Sequence, residues 1–453
     1  MATVTTADAE RLLSLDVFRG LVMLLLIPDT IGGFSFYLMA ESHPDEPLWG
    51  LLASMFFHVR WSGASVWDLI MPAFVFIAGV SMTYSYASRK ARGESESWIL
   101  AHAALRAAAM LALHLTLSIP VTSNVDYLWP LAVLALGLQL PRRLATAVPA
   151  WRVIASDRAE LCWWGIVLTL VVWRGVLRFH EIPNFELFGL LATLGLAYFT
   201  AYLFMSFSPR LQVAAALSIL FFWWLAFVLY RRPPAAAINP ALYGITSPEE
   251  SFAGHMSHWS KGTHVAAAFD VWFLNLFPRL HPYTPPTHGT HTLRFIPVAA
   301  ALLFGVLVGR ELRSGKPRKE IRNRLFFTAI AGVVLALVLD QGIEPIVMRI
   351  WTSSWTLYST GLVLIVFVGL YTLIDIRGHK KWTTVFVVAG ANSLLLYVLA
   401  IGYRWPVLES WRRVLGSSIF EGYWQPVAES LACALTLWII ASVLYRFRVF
   451  VRL

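Results

Sequence analysis

The chain has 453 residues, of which 58% are hydrophobic and only 14% charged, with a mean hydropathy of +0.64. A soluble chain carries charge at about a quarter of its positions, so this composition excludes a set of soluble domains and indicates a polytopic membrane protein. The formal charge of +10 does not call for nucleic acid, because membrane proteins collect Lys and Arg in the loops that fix their orientation.

The apolar runs are long and lack the alternation of a barrel strand, so the spans are expected to be helices. Segments long enough, or nearly long enough, to cross lie near 15–37, 64–87, 99–121, 126–140, 160–178 and 185–206. The second half supplies 210–230, 293–311, 325–341, 354–376, 383–404 and 427–446. The expectation is an all-α integral membrane protein of about 12 helices (11–12), in one transmembrane domain over residues 1–453. With the first residue in the cytoplasm, alternation places Arg89, Lys90 and Arg92, the loop Arg310 to Arg324, and Arg377, Lys380 and Lys381 on the inner side. That bias predicts both termini in the cytoplasm. The first 13 residues are polar and the run after them lacks a cleavage site, so no cleavable signal is expected. Cys162 and Cys433 sit in or beside apolar runs, and no disulfide is expected. The longest outer loop, 231–292, is rich in proline, histidine and aromatics. It reads as a shaped cover over the outer mouth.

The stretch Phe56 to Ser81, FFHVRWSGASVWDLIMPAFVFIAGVS, carries the strongest chemical signal. His58 lies at the outer entry to the second span, and imidazole takes and gives a proton near neutral pH. Asp68 follows near the start of that span, as a buried pair partner or a proton relay. Asp29 follows Pro28 late in the first span, where a carboxylate is costly in lipid and should face a polar interior.

Several ordered motifs resemble the heparan-alpha-glucosaminide N-acetyltransferase family and its bacterial relatives. RLLSLDVFRG contains a Ser-Leu-Asp-x-Phe-Arg-Gly opening, and His58 to Gly63 reads His-x-x-Trp-x-Gly. Asp68 and a Pro-x-Phe-x-Phe-Ile-x-Gly run from Pro72 to Gly79 follow. TLRFIPVAAALLFGVLVGREL and AGANSLLLYVLA are similar to later family segments. The match is good over 11–87, fair over 185–206 and 290–400, and poor over 120–180 and the final helices. The resemblance implies transfer of an acetyl group from cytoplasmic acetyl-CoA, as co-substrate, to the amine of a sugar across the bilayer. It also suggests a homodimer, which nothing in the residues themselves indicates.

On that reading His58 aligns with the catalytic histidine. It either takes the proton of the attacking amine or carries the acetyl group briefly itself, and the residues leave both routes open. Asp29 stands where an asparagine is expected in the family, and it would orient His58 or meet a cationic amine. Arg19 could meet the CoA phosphates, or pair with Asp16 three residues away. Arg106, with His114 on the same face, could line an inner vestibule for the CoA or be packed polar glue, and Asn392 could bond the pantetheine or bridge helices. Trp61 and Trp67 read as interfacial aromatics, and Trp61 could also stack on a sugar. The outer-loop pair His255 and His258 has irregular company, and no metal is expected. Two other readings stay open: a twelve-span solute transporter, and an O-acyltransferase of an envelope polysaccharide. The absence of a long lumenal region points to a bacterial inner membrane.

Overall fold

The computed structural model describes residues 12–27, 35–118, 186–277, 279 and 281–450. Every regular element in them is helical. The predicted spans at 126–140 and 160–178, and Asp29, lie outside the described residues.

The helices are α1 (Leu13–Leu26), α2 (Phe36–Ser42), α3 (Pro47–Phe56), α4 (Ile70–Ala91) and α5 (Glu96–Ser118). They continue with α6 (Leu190–Tyr202), α7 (Pro209–Leu229), α8 (Val265–Leu274), α9 (Phe295–Leu312) and α10 (Arg318–Asp340). The last are α11 (Ser353–Tyr371), α12 (Thr384–Ala391), α13 (Ser393–Gly402), α14 (Arg404–Leu415) and α15 (Gln425–Arg446). Among the described residues, seven helices are long and apolar enough to cross a membrane, or eight if the bent pair α12–α13 forms one span. The segment read as one helix over 383–404 is broken: α12 and α13 meet at 74°. Asn392 sits at that break with its Nδ2 donating to the Val449 carbonyl at 3.1 Å.

α9 is the central strut. Its span is 72% buried, against 17% for α10, which lies at the periphery. α9 packs along α4 through glycines. A Cβ on Gly79 would lie 2.3 Å from the Leu302 oxygen, and one on Gly305 would lie 2.6 Å from the Phe76 oxygen. Small residues let helix backbones close on each other where lipid offers no hydrophobic drive. α1 and α12 meet in the same way, with a Cβ on Gly390 falling 2.6 Å from the Asp16 oxygen.

These crossings sort the bundle into two ends. At one end Arg313 donates to the Thr83 carbonyl, Arg318 to the Asp375 carbonyl, and the Ser14 amide to the Asp375 carboxylate. This end carries the basic loop between α9 and α10. The other end gathers His58, the first turns of α6 and α9, and the loop before α11. The predicted cover lies over that end as 3₁₀ turns and α8. It docks through Trp259, which packs with Trp61, Phe227 and Ile350. A buried ion pair, Lys261 Nζ to Glu250 Oε1 at 2.7 Å, ties the cover to itself.

Candidate active site

The stretch from Phe57 to Val66 is irregular because Gly63 takes φ +99°, a conformation that favours glycine. The Gly63 amide donates to the Ile346 carbonyl at 3.0 Å, which pins the turn to the loop before α11. Trp61 is buried beneath the cover and donates Nε1 to the Trp259 carbonyl at 3.0 Å. The chain then re-enters a helix at Ser65-Val66-Trp67-Asp68, a reciprocal capping arrangement. The Asp68 amide donates to Ser65 Oγ at 3.2 Å, and Asp68 Oδ2 accepts from the Ser65 amide and hydroxyl, each at 3.0 Å.

That local bonding fixes the Asp68 carboxylate before any ligand arrives. Its other oxygen, Oδ1, lies 2.5 Å from His58 Nδ1. Asp68 is buried, whereas a third of the His58 side chain is accessible. When Nδ1 carries the proton and donates it to Asp68, the lone pair of a neutral imidazole is on Nε2. In that tautomer the pair could act as an oriented base or nucleophile.

His58 and Asp68 line a cavity of about 290 Å³. Leu26, Ile70, Met71 and Met348 supply apolar wall, while Thr290, Arg294, Arg349 and Tyr397 supply polar groups. α13, the distal half of the broken helix, brings Tyr397 to this wall. Arg294 is buried and donates Nε to Thr193 Oγ1 at 3.2 Å and Nη2 to the Phe188 carbonyl at 2.5 Å. Burial lowers the Arg349 guanidinium pKa, opposed by the charges of Asp68 and Glu250. Thr290 receives support from behind, its Oγ1 lying 2.6 Å from His288 Nδ1.

The sequence candidates fall in different places. His58 and Asp68 come together, and Trp67 joins them in the wall with its ring 6.5 Å from the imidazole. Trp61 is taken up by cover packing and does not line the cavity. Arg19 donates to Ser81 Oγ at 3.2 Å and lies 3.8 Å from Asp16. Arg106 donates to the Tyr198 hydroxyl at 3.2 Å, and His114 Nε2 contacts the Glu186 carbonyl at 3.0 Å. Arg19, Arg106 and Asn392 do not line the His58 cavity. Sequence reasoning missed Arg294, Arg349 and Tyr397. The signal available for the arginines was a charge set in an apolar context, HTLRFIPV and PIVMRIW.

Comparison with known proteins bears out the family resemblance. The chain is 25% identical over 486 residues to human heparan-alpha-glucosaminide N-acetyltransferase, covering 98% of this chain and 60% of that protein. It is 24% identical over 466 residues to the mouse protein of the same name, covering 98% of this chain and 61% of that one. The chain is a distant relative of these proteins and spans about three-fifths of their length. No family model matches it.

Proposed function

We propose that this chain is a transmembrane acyltransferase that passes an acetyl group from acetyl-CoA to the amine or hydroxyl of a sugar. What carries this reading is the His58–Asp68 pair in a polar-lined cavity, on a chain distantly related to an acetyltransferase. The basic end of the bundle, with Arg313, Lys316, Arg318 and Lys319, suits the phosphates of a CoA on the cytoplasmic side. The cavity is too small for a whole CoA, so only the acetyl thioester and part of the acceptor would meet at His58.

In this scheme a neutral amine attacks the thioester carbonyl carbon, forming a C–N bond as the C–S bond breaks. His58 Nε2 takes the amine proton and returns it to the departing thiolate, giving free CoA thiol. Asp68 holds the imidazole in the needed tautomer and offsets the positive charge that develops on it. If Nε2 itself attacks first, the same geometry serves, and the amine then takes the acetyl from the ring. The test is release of CoA thiol from acetyl-CoA by the purified chain, with and without glucosamine. Acceptor-dependent release supports the proposal. Vesicles that accumulate labelled sugar while consuming no acetyl-CoA would instead identify a transporter.

A further inference from the structure

The His58 cavity holds more positive charge than its own carboxylate offsets. Arg294 and Arg349 both line it, and among the described residues Asp68 is the one acidic residue in its wall. Asp68 is already engaged with His58 and Ser65. Glu250, the other carboxylate whose charge reaches Arg349, is engaged with Lys261. No carboxylate among the described residues lies within 4.0 Å of either guanidinium. Arg294 spends its two bonds on neutral oxygens, the Thr193 hydroxyl and the Phe188 carbonyl. Arg349 Nε is buried without any partner among the described residues. A partly or fully desolvated cation with no carboxylate in contact is costly, and the geometry that makes it worthwhile is an anion delivered by a ligand. Guanidinium groups suit carboxylate, phosphate and sulfate because their planar forks match those oxygens.

The small cavity sharpens the inference. Small-molecule sites run from roughly 300 to 1,000 Å³, and this one, about 290 Å³, is at the bottom of that range. An anion at Arg349 and a group reacting at His58 must then belong to one compact ligand. We propose that Arg294 and Arg349 form an anion subsite beside His58, and that the acceptor is an acidic sugar bearing a phosphate, sulfate or carboxylate on the ring that takes the acetyl group. The acceptor role rests on the acetyl-transfer reading above; the anion subsite does not.

The experiment compares glucosamine, glucosamine 6-phosphate and glucosamine 6-sulfate on the full chain in detergent. Binding is measured by calorimetry without acetyl-CoA, and thiol release is measured with it. The expected result is binding of the two anionic sugars at least about 10-fold tighter than glucosamine, as two desolvated charge-assisted contacts allow. Arg349→Gln should abolish that preference, bringing the three sugars to the same affinity, and Arg349→Lys should keep part of it. Arg349 is the residue to change, because Arg294 also holds the Phe188 backbone. Equal wild-type binding of neutral and anionic sugars overturns the subsite, even if Arg349→Gln does not fold. So does a preference that survives Arg349→Gln. A fall in kcat that is equal for all acceptors, with KM unchanged, would make Arg349 a stabiliser of the reacting oxyanion and also overturn the subsite. Anion-selective binding with no thiol release upholds the subsite and removes the acetyl-transfer reading. Thiol release without anion preference does the reverse.

Discussion

Asp68 holds His58 with one carboxylate oxygen and its own helix start with the other. Oδ1 is 2.5 Å from His58 Nδ1, while Oδ2 takes two bonds from Ser65. The imidazole is thus oriented by a group that is itself fixed through bonds local in sequence, which is how a base is preorganised.

Asp68→Asn should leave the fold intact and lower the turnover of CoA release by about 10²- to 10⁴-fold, because an amide no longer holds the Nδ1–H tautomer. Ser65→Ala removes the hydroxyl's bond to Oδ2 and its cap on the Asp68 amide, each worth about 1 kcal/mol, and should lower turnover less than Asp68→Asn does. Turnover of both variants, alongside their melting temperatures in detergent, checks this. Equal losses in the two would contradict the ordering.

Gly79→Ala should destabilise the bundle by about 1–3 kcal/mol or more, because its new Cβ meets the Leu302 backbone oxygen rather than a movable side chain. Gly50→Ala, with nothing within 4 Å of its Cβ, should be neutral or slightly stabilising. Thermal unfolding of the two variants in one detergent decides it.

How far the sequence disclosed this site can be argued residue by residue. His58 and Asp68 were legible because they sit ten positions apart in a motif-rich stretch, although the sequence did not say that they bond each other. Arg294 and Arg349 were not, because only helix packing brings residues so distant in the chain to one wall. Trp61 read as an interfacial aromatic that could also stack on a sugar, because an aromatic near a histidine has two uses. Its burial under Trp259 depends on a loop almost two hundred residues later. The fold class followed from hydropathy alone, but the break at Asn392 did not, since α12 and α13 are apolar throughout and only Gly390 and Asn392 hint at an interruption.

The cover should depend on its buried ion pair. Burial raises the Glu250 carboxyl pKa, but Lys261 and Thr246 outweigh that and hold it below the ordinary carboxylate value of 4.5. A depressed folded pKa stabilises above the unfolded value, and that contribution is lost as pH falls through the lower folded one. Glu250→Gln leaves Lys261 charged and buried, and breaking such a pair costs about 3–5 kcal/mol. Proteolysis within 231–292 should quicken in this variant at pH 7, and the protection that Glu250 gives the wild type should be lost only below about pH 4.5.

Two other groups, the exposed His288 and the buried Glu344, give opposite pH slopes. His288 is pushed down to about 4 by burial and then by His291, Arg349, Arg294 and Lys261. Its neutral form belongs to the fold, so stability is lost as pH falls from about 6.5 towards 4. Glu344 is pushed up to about 7 by burial, against its bonds from Ser354 and Ser353. Its protonated form belongs to the fold, so its contribution is lost as pH rises from 4.5 towards 7. Relative to the wild type, Glu344→Gln should flatten the loss on the neutral side, and His288→Asn the loss on the acid side. Melting temperatures from pH 4.5 to 7.5 read both slopes, and parallel profiles for the three proteins would contradict the assignment.

The central claim is that His58 performs acetyl transfer, and the most direct measurement is thiol release from acetyl-CoA by purified wild type and His58→Ala. Glucosamine and its 6-phosphate serve as acceptors, with folding of both proteins confirmed by melting. The wild type should release thiol in an acceptor-dependent way, and the variant should fall by at least about 100-fold. Release that continues undiminished in folded His58→Ala would contradict it.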